Sequence, residues 1–191
     1  FEPYQVAIAD TFTEFTGVSG LTYDFFTVAT DNVGNREGLK TSGDISVTTS
    51  GVSVAVTVLL EGPYDVGDGL MKDNLRSAAL IPVQQPYDAL GFIQAQTTGV
   101  ETVAATVFDV TGRDAIVDWV LLELRDPSDS VQIIATRAAL LQRDGDVVDL
   151  DGESAVEFPL APSGDYYLAV RHRNHLGAMT AMPITLNSEI T

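Results

Sequence analysis

The residues with the strongest chemical potential lie between Arg143 and Glu153, where Asp144, Asp146, Asp149, Asp151 and Glu153 place five carboxylates in ten positions. A hard cation such as Ca²⁺ takes six to eight oxygens, and alternate residues of a tight turn can supply several of them. Gly145 and Gly152 permit such turns. The spacing is not that of an EF-hand loop, and Asp and Gly are also the ordinary residues of a solvated hairpin. Two readings therefore stand side by side, a Ca²⁺ site and a turn. A second cluster is Arg171, His172, Arg173 and His175, which holds both histidines of a chain whose net charge is −17. If the strand runs on through His175, the two imidazoles point to opposite sides and do not chelate one metal. On that reading His172 is semi-buried and His175 exposed. Arg171 and Arg173 are placed to pair with carboxylates such as Glu123 or Asp118 across strands.

These side chains need strands to position them. The run from Tyr166 to Val170 follows the turn residues 162–165 and is rich in β-formers, so 165–175 is expected as a central strand. Val52, Val54, Val56, Val58 and Leu60 make one apolar face opposite Ser53, Ala55 and Thr57, which predicts a strand over 52–60. Further strands are expected at 101–110, 115–125, 131–143, 155–160 and 182–186, punctuated by Asp-, Gly- and Pro-containing turns. The segment 116–125 is apolar on both faces, so Trp119 is expected in the core. From Glu61 to Gly99 regularity fades: Pro63, Pro82 and Pro86 interrupt it. Residues 71–80 read as a short helix with Met71, Leu75, Ala78 and Ala79 on one side. So long an irregular insertion reads as a surface with a job.

At the N-terminal end, strands are expected around 4–10, 21–30 and 44–49, with Asp31–Asn35 as turn residues. Tyr23, Phe25 and Ala29 alternate with Asp24, Phe26 and Val28, giving bulky groups on both faces. The pattern Tyr-x-Phe-x-x-x-Ala-x-Asp-x-x-Gly-Asn over 23–35 resembles the closing strands of a bacterial fibronectin type III or immunoglobulin-like module. It covers the back half of such a module.

Composition narrows the function. There are 191 residues, 45% of them hydrophobic, with 27 Asp+Glu against 10 Lys+Arg, so a core is available and no basic footprint for nucleic acid exists. The same balance argues against attachment to anionic lipid. No run approaches the ~18 apolar residues of a membrane span. Zero cysteines exclude disulfides, thiolate metal sites and cysteine nucleophiles. There is no Gly-x-Ser-x-Gly elbow, no His-Glu-x-x-His and no phosphate loop, so the chain does not read as an enzyme.

The runs 61–65, 115–125 and 139–149, taken with 167–177, resemble a segment that recurs in large secreted proteins of Bacteroidota-type bacteria described as hemagglutinin- or adhesin-like. The resemblance spans about residues 52–185. It implies an extracellular or cell-surface address and a multidomain parent, and it brings no catalytic residues.

The fold expected is all-β, an antiparallel immunoglobulin-like or jelly-roll-type sandwich over 51–191, preceded by the partial fibronectin type III-like module at 1–50. The function expected is a non-catalytic structural or adhesive module whose partners are neighbouring domains or copies of itself. Strands too few to close a sandwich, with Phe25, Phe26 and Val28 showing, invite strand addition and growth into a fibre. A carbohydrate-binding module is the alternative, favoured by an exposed aromatic platform at Trp119, Tyr87 or Tyr167. A fragment of a secreted hydrolase is the other, favoured by carboxylates gathered in a cleft.

Overall fold

The computed structural model describes Phe15, Gly17, residues 21–97 and residues 99–189. The strand expected around 4–10 lies outside them. The chain divides into two compact units, Phe1–Thr49 and Ser50–Thr191.

In the first unit β1 (Thr22–Phe25) pairs antiparallel with β2 (Ile45–Thr48), with Tyr23 opposite Val47 and Phe25 opposite Ile45. Alternation gives this ribbon two unlike faces. Thr22 and Thr48 hydroxyls bond across one face at 2.8 Å, and Ser46 donates to Asp24 beside them. The other face carries Tyr23, Phe25, Ile45 and Val47. Phe15 meets the rings of Tyr23 and Phe25 edge-on, at 4.8 and 5.0 Å. The turn after β1 forms as its residues dictate: Asp31 Oδ1 accepts from the backbone N–H groups of Val33 and Asn35.

The second unit opens with β3 (Val52–Val54) and β4 (Val56–Thr57), followed by β5 (Tyr64–Asp65), β6 (Leu70–Met71) and the one-turn helix α1 (Asn74–Ser77). A 3₁₀ turn covers Ala105–Asp109. Then come β7 (Ile116–Arg125), β8 (Ile133–Gln142), β9 (Asp146–Val148), β10 (Val156–Phe158), β11 (Gly164–His172), β12 (His175–Met179) and β13 (Ile184–Leu186). The main antiparallel sheet has the order β12-β11-β7-β8-β9-β4, with β13 also on β11. A second, shorter layer pairs β10 with β3, and Ser53 N–H donates to Asn187 O beyond β13. The fold is all-β and the sheet curls, so the sandwich expected from the sequence is present.

The expected strand over 52–60 is one apolar ribbon with two partners: β3 takes β10, β4 takes β9, and the break falls at Ala55. Its Val52, Val54, Val56, Val58 and Leu60 all face the same core. Gly51 makes the entry possible, since a Cβ there would sit 2.2 Å from Phe158 O.

The centre of the sheet, β7 and β8, is buried on both faces. Val117, Val120, Leu122 and Leu124 of β7 enter the core shared with β3, β10 and β13, whereas Ile116, Trp119 and Leu121 enter a second cluster. The parity changes at a register shift between Ile116 and Asp118, as a bulge requires. The second cluster is covered by Ile81, Tyr87 and Val103, with Phe92, Val107 and Phe108 packed around them. The irregular segment is thus the outer wall of a core. Nor is 101–110 a strand: Thr102 alone bridges to Gln84, and the rest winds into the 3₁₀ turn that brings Val107 and Phe108 onto the sheet. The short helix is there, reduced to Asn74–Ser77, and only Leu75 packs on the second cluster.

Candidate functional site

The densest polar chemistry sits at the β11–β12 hairpin. β11 ends at His172, Arg173 and Asn174 make the turn, and β12 begins at His175, which stands directly opposite His172. Directly opposed residues share a face. The expectation of a continuous strand with diverging imidazoles is therefore overturned: the chain reverses where one more extended residue would have separated them. The rings meet at 2.9 Å between Nδ1 atoms, with planes 63° apart.

Protons can be assigned from the partners. Asp118 Oδ2, a carboxylate oxygen that only accepts, lies 3.2 Å from His172 Nε2. His172 therefore carries its hydrogen on Nε2. Its Nδ1 accepts the Asn174 backbone N–H at 3.2 Å, consistent with that tautomer. The hydrogen between the rings then belongs to His175 Nδ1, and His175 Nε2 keeps a lone pair, on the side where a Cβ on Gly62 would stand 3.3 Å away. His172 is buried, and His175 is half-buried.

Asp118 is the hub. It is buried, its Oδ1 accepts the Trp119 N–H at 2.8 Å, and its Oδ2 also accepts a hydrogen bond from Arg173 Nη2 at 2.8 Å. Tyr87, wholly buried, donates its hydroxyl to Trp119 O at 2.7 Å. Burial pushes the Tyr87 phenol well above its ordinary value; the charge of Asp118 adds to the rise and Arg173 opposes it. A buried charge is tolerated when paired and fully bonded. The expected Arg171 and Arg173 pairings are both made. Arg171 reaches Glu123 at 3.8 Å and lies over the Phe92 ring at 5.7 Å. Glu123 Oε2 is bound by Arg125 at 2.9 and 2.5 Å.

The five carboxylates of the acidic loop separate. Asp144 pairs with Arg113 at 2.9 Å and accepts the Asp146 N–H. Asp146 accepts from the Thr57 hydroxyl across the β4–β9 pair at 3.1 Å. Asp149 binds Arg137 at 2.6 Å and accepts the N–H groups of Leu150 and Glu157. Asp151 closes its own turn by accepting from Glu153 N, Ser154 N and the Ser154 hydroxyl. That hydroxyl bond and the backbone bonds hold the Asp151 carboxyl below the usual carboxylate range. The Glu153 side chain is exposed. Among the described residues no three carboxylates or imidazoles converge on one point. Beside Arg137 lies the buried Glu101; its Oε2 and Arg137 Nε have no hydrogen-bond partner among the described residues.

Trp119 is wholly buried, as expected, and its Nε1 donates to Pro82 O at 2.8 Å. With Tyr87 also enclosed, neither ring offers an exposed platform. The linkage of Asp118 to His172, and through His172 to His175, is not expected from the residue pattern. The available signal was Asn174 in a two-residue gap between β-forming runs, a hairpin cue. Comparison with protein-family models, with curated proteins and with solved structures finds no match.

Proposed function

We propose that the chain is a non-catalytic structural or adhesive module of a secreted or cell-surface bacterial protein, working outside the cell. Its first unit is read as the closing strands of a fibronectin type III-like module and residues 51–191 as an immunoglobulin-like or jelly-roll-type sandwich. The module presents surfaces and spaces its neighbours, and it associates through the first unit with copies of itself or adjoining domains, extending into a fibre by strand addition. The observation that carries this reading is β2. Every residue of it is exposed, including Ile45 at 59% and Val47 at 45%, on the apolar face of the β1–β2 ribbon. Among the described residues this ribbon has two strands; such a ribbon is marginal in water alone, and an apolar sheet face or edge gains from a further layer or strand. The buried acids Asp118 and Glu123 and the half-buried Asp149 support the non-catalytic part, since each is bound to an arginine within the sandwich.

Sedimentation velocity over a wide concentration range tests this. The chain is expected to associate as concentration rises, and the double variant Ile45→Lys, Val47→Lys to remain monomeric with unchanged Trp119 emission. A chain monomeric throughout, or a variant that associates equally well, overturns the proposal.

A further inference from the structure

We propose that His172 and His175 form a two-imidazole chelate for a late first-row divalent ion such as Ni²⁺ or Cu²⁺. The two Nδ1 atoms face each other at 2.9 Å on directly opposed hairpin positions. At metal–nitrogen distances of about 2.0–2.1 Å, that separation subtends about 90° at an ion. Such an angle belongs to tetragonal or octahedral coordination, which Cu²⁺ and Ni²⁺ adopt with nitrogen ligands. A tetrahedral ion needs the pair to spread.

The second shell is already built. A ligating imidazole commonly donates its other ring N–H to a carboxylate, which fixes the tautomer and the ring. His172 does this through Nε2 to Asp118, and Asp118 is itself pinned by the Trp119 N–H and by Arg173. Arg173 therefore lies against a carboxylate beside the chelate, its charge compensated. His172 is buried and held, and His175 is half-buried, so an ion approaches from the His175 side. The absence of a side chain on Gly62 leaves room at that ring. Binding exchanges the hydrogen between the rings for an ion beside the Nδ1–Nδ1 line, and the rings turn to aim both lone pairs at it. His175 moves its proton from Nδ1 to Nε2, His172 keeps its own on Nε2, and no proton is lost. Besides the His175 Nδ1–H, the ion displaces one donor from His172 Nδ1, the Asn174 N–H at 3.2 Å. Two positions come from the protein, and water fills the others.

Titration calorimetry of the tag-free chain with NiCl₂ decides the matter. One saturable site per chain is expected, weakened at least tenfold in His175→Gln and in His172→Gln, and roughly tenfold in Asp118→Asn, in line with the usual cost of losing an outer-shell partner. His175→Gln, at the half-exposed position, is the variant that should keep its fold, checked by native Trp119 emission. Asp144→Asn with Asp149→Asn should leave Ni²⁺ binding unchanged, which separates this site from the acidic loop. With Cu²⁺ the electron paramagnetic resonance spectrum should show coupling to two imidazole nitrogens. Absence of a saturable site at millimolar Ni²⁺ overturns the proposal, as does a site that persists in His175→Gln with the fold intact.

Discussion

Trp119 shows how the environment of one side chain decides its role. It is the chain's one tryptophan, it is wholly buried, and its indole N–H is bonded to Pro82 O rather than to water. A buried indole with a satisfied donor gains from its large apolar area without the cost of an orphaned N–H. Its emission should therefore be blue-shifted and little quenched by iodide, and added sugars should leave it unchanged. Red-shifted, strongly quenched emission that responds to sugars would instead favour the carbohydrate-binding reading. The same local logic explains why Asp118 sits inside an apolar sheet: Trp119 N–H, His172 and Arg173 all donate to it, and removal of that acceptor strands three donors. The core position of Trp119 was legible because its strand is apolar on both faces over most of its length. The linkage of Asp118 to His172 was not, since it joins residues of two strands and register is not written in either one.

At the scale of elements, turns carry much of the specificity. Gly145, between Asp144 and Asp146, has φ +101°, and a Cβ there would lie 2.9 Å from both Val58 O and Thr57 Cγ2. Gly145→Ala combines a conformation that L-residues avoid with a steric conflict across the β4–β9 pair, so it should cost about 1–3 kcal/mol of stability. Gly69, at φ +66° with open space around it, should accept Asn at much smaller cost. Urea midpoints followed by Trp119 emission compare the two, and equal shifts would contradict the steric argument. Asp151 offers a gentler case. Its carboxyl is held below the usual range by the Ser154 hydroxyl and backbone donors, so its contribution is present above about pH 4 and lost as pH falls through the lowered value. Being exposed, it should contribute about 1 kcal/mol or less. Asp151→Ala should lower the neutral-pH midpoint slightly and match the parent in acid. If the difference instead appears only with millimolar Ca²⁺ present, the loop is a metal site rather than a turn. Turn chemistry at Asp31, Asp126 and Asp151 was readable from residue types, because an Asx acceptor acts within a few positions. The reversal at Arg173–Asn174 was missed because β-formers on both sides of a two-residue turn look like one strand.

At the scale of the molecule, the sandwich of 50–191 differs from a two-layer one by its outer wall. β7 and β8 have one face on the core shared with β3, β10 and β13, and the other under the irregular segment that contributes Ile81, Tyr87, Val103 and Phe92. Prolines and absent periodicity gave that segment the look of a surface loop, yet a wall need not be a strand or a helix; it needs apolar anchors and satisfied backbone. Both are present. Gln85 N and Val103 N donate to Glu101 O and Val83 O, Ala95 N–H donates to the Thr136 hydroxyl, and Tyr87 is bonded at both its N–H and its OH. Because the two cores share β7 and β8, they should unfold together. Leu122→Ala in the inner core and Leu140→Ala in the outer one are each expected to destabilise by about 2–5 kcal/mol, the cost of emptying a buried leucine site. Both should shift one common transition, with Trp119 emission and far-ultraviolet circular dichroism coinciding throughout. The informative failure is specific. If Leu140→Ala lets Trp119 become solvent-exposed before strand content is lost, the outer wall opens as a separate unit of low stability, and the segment over Trp119 is a movable cover rather than part of the core.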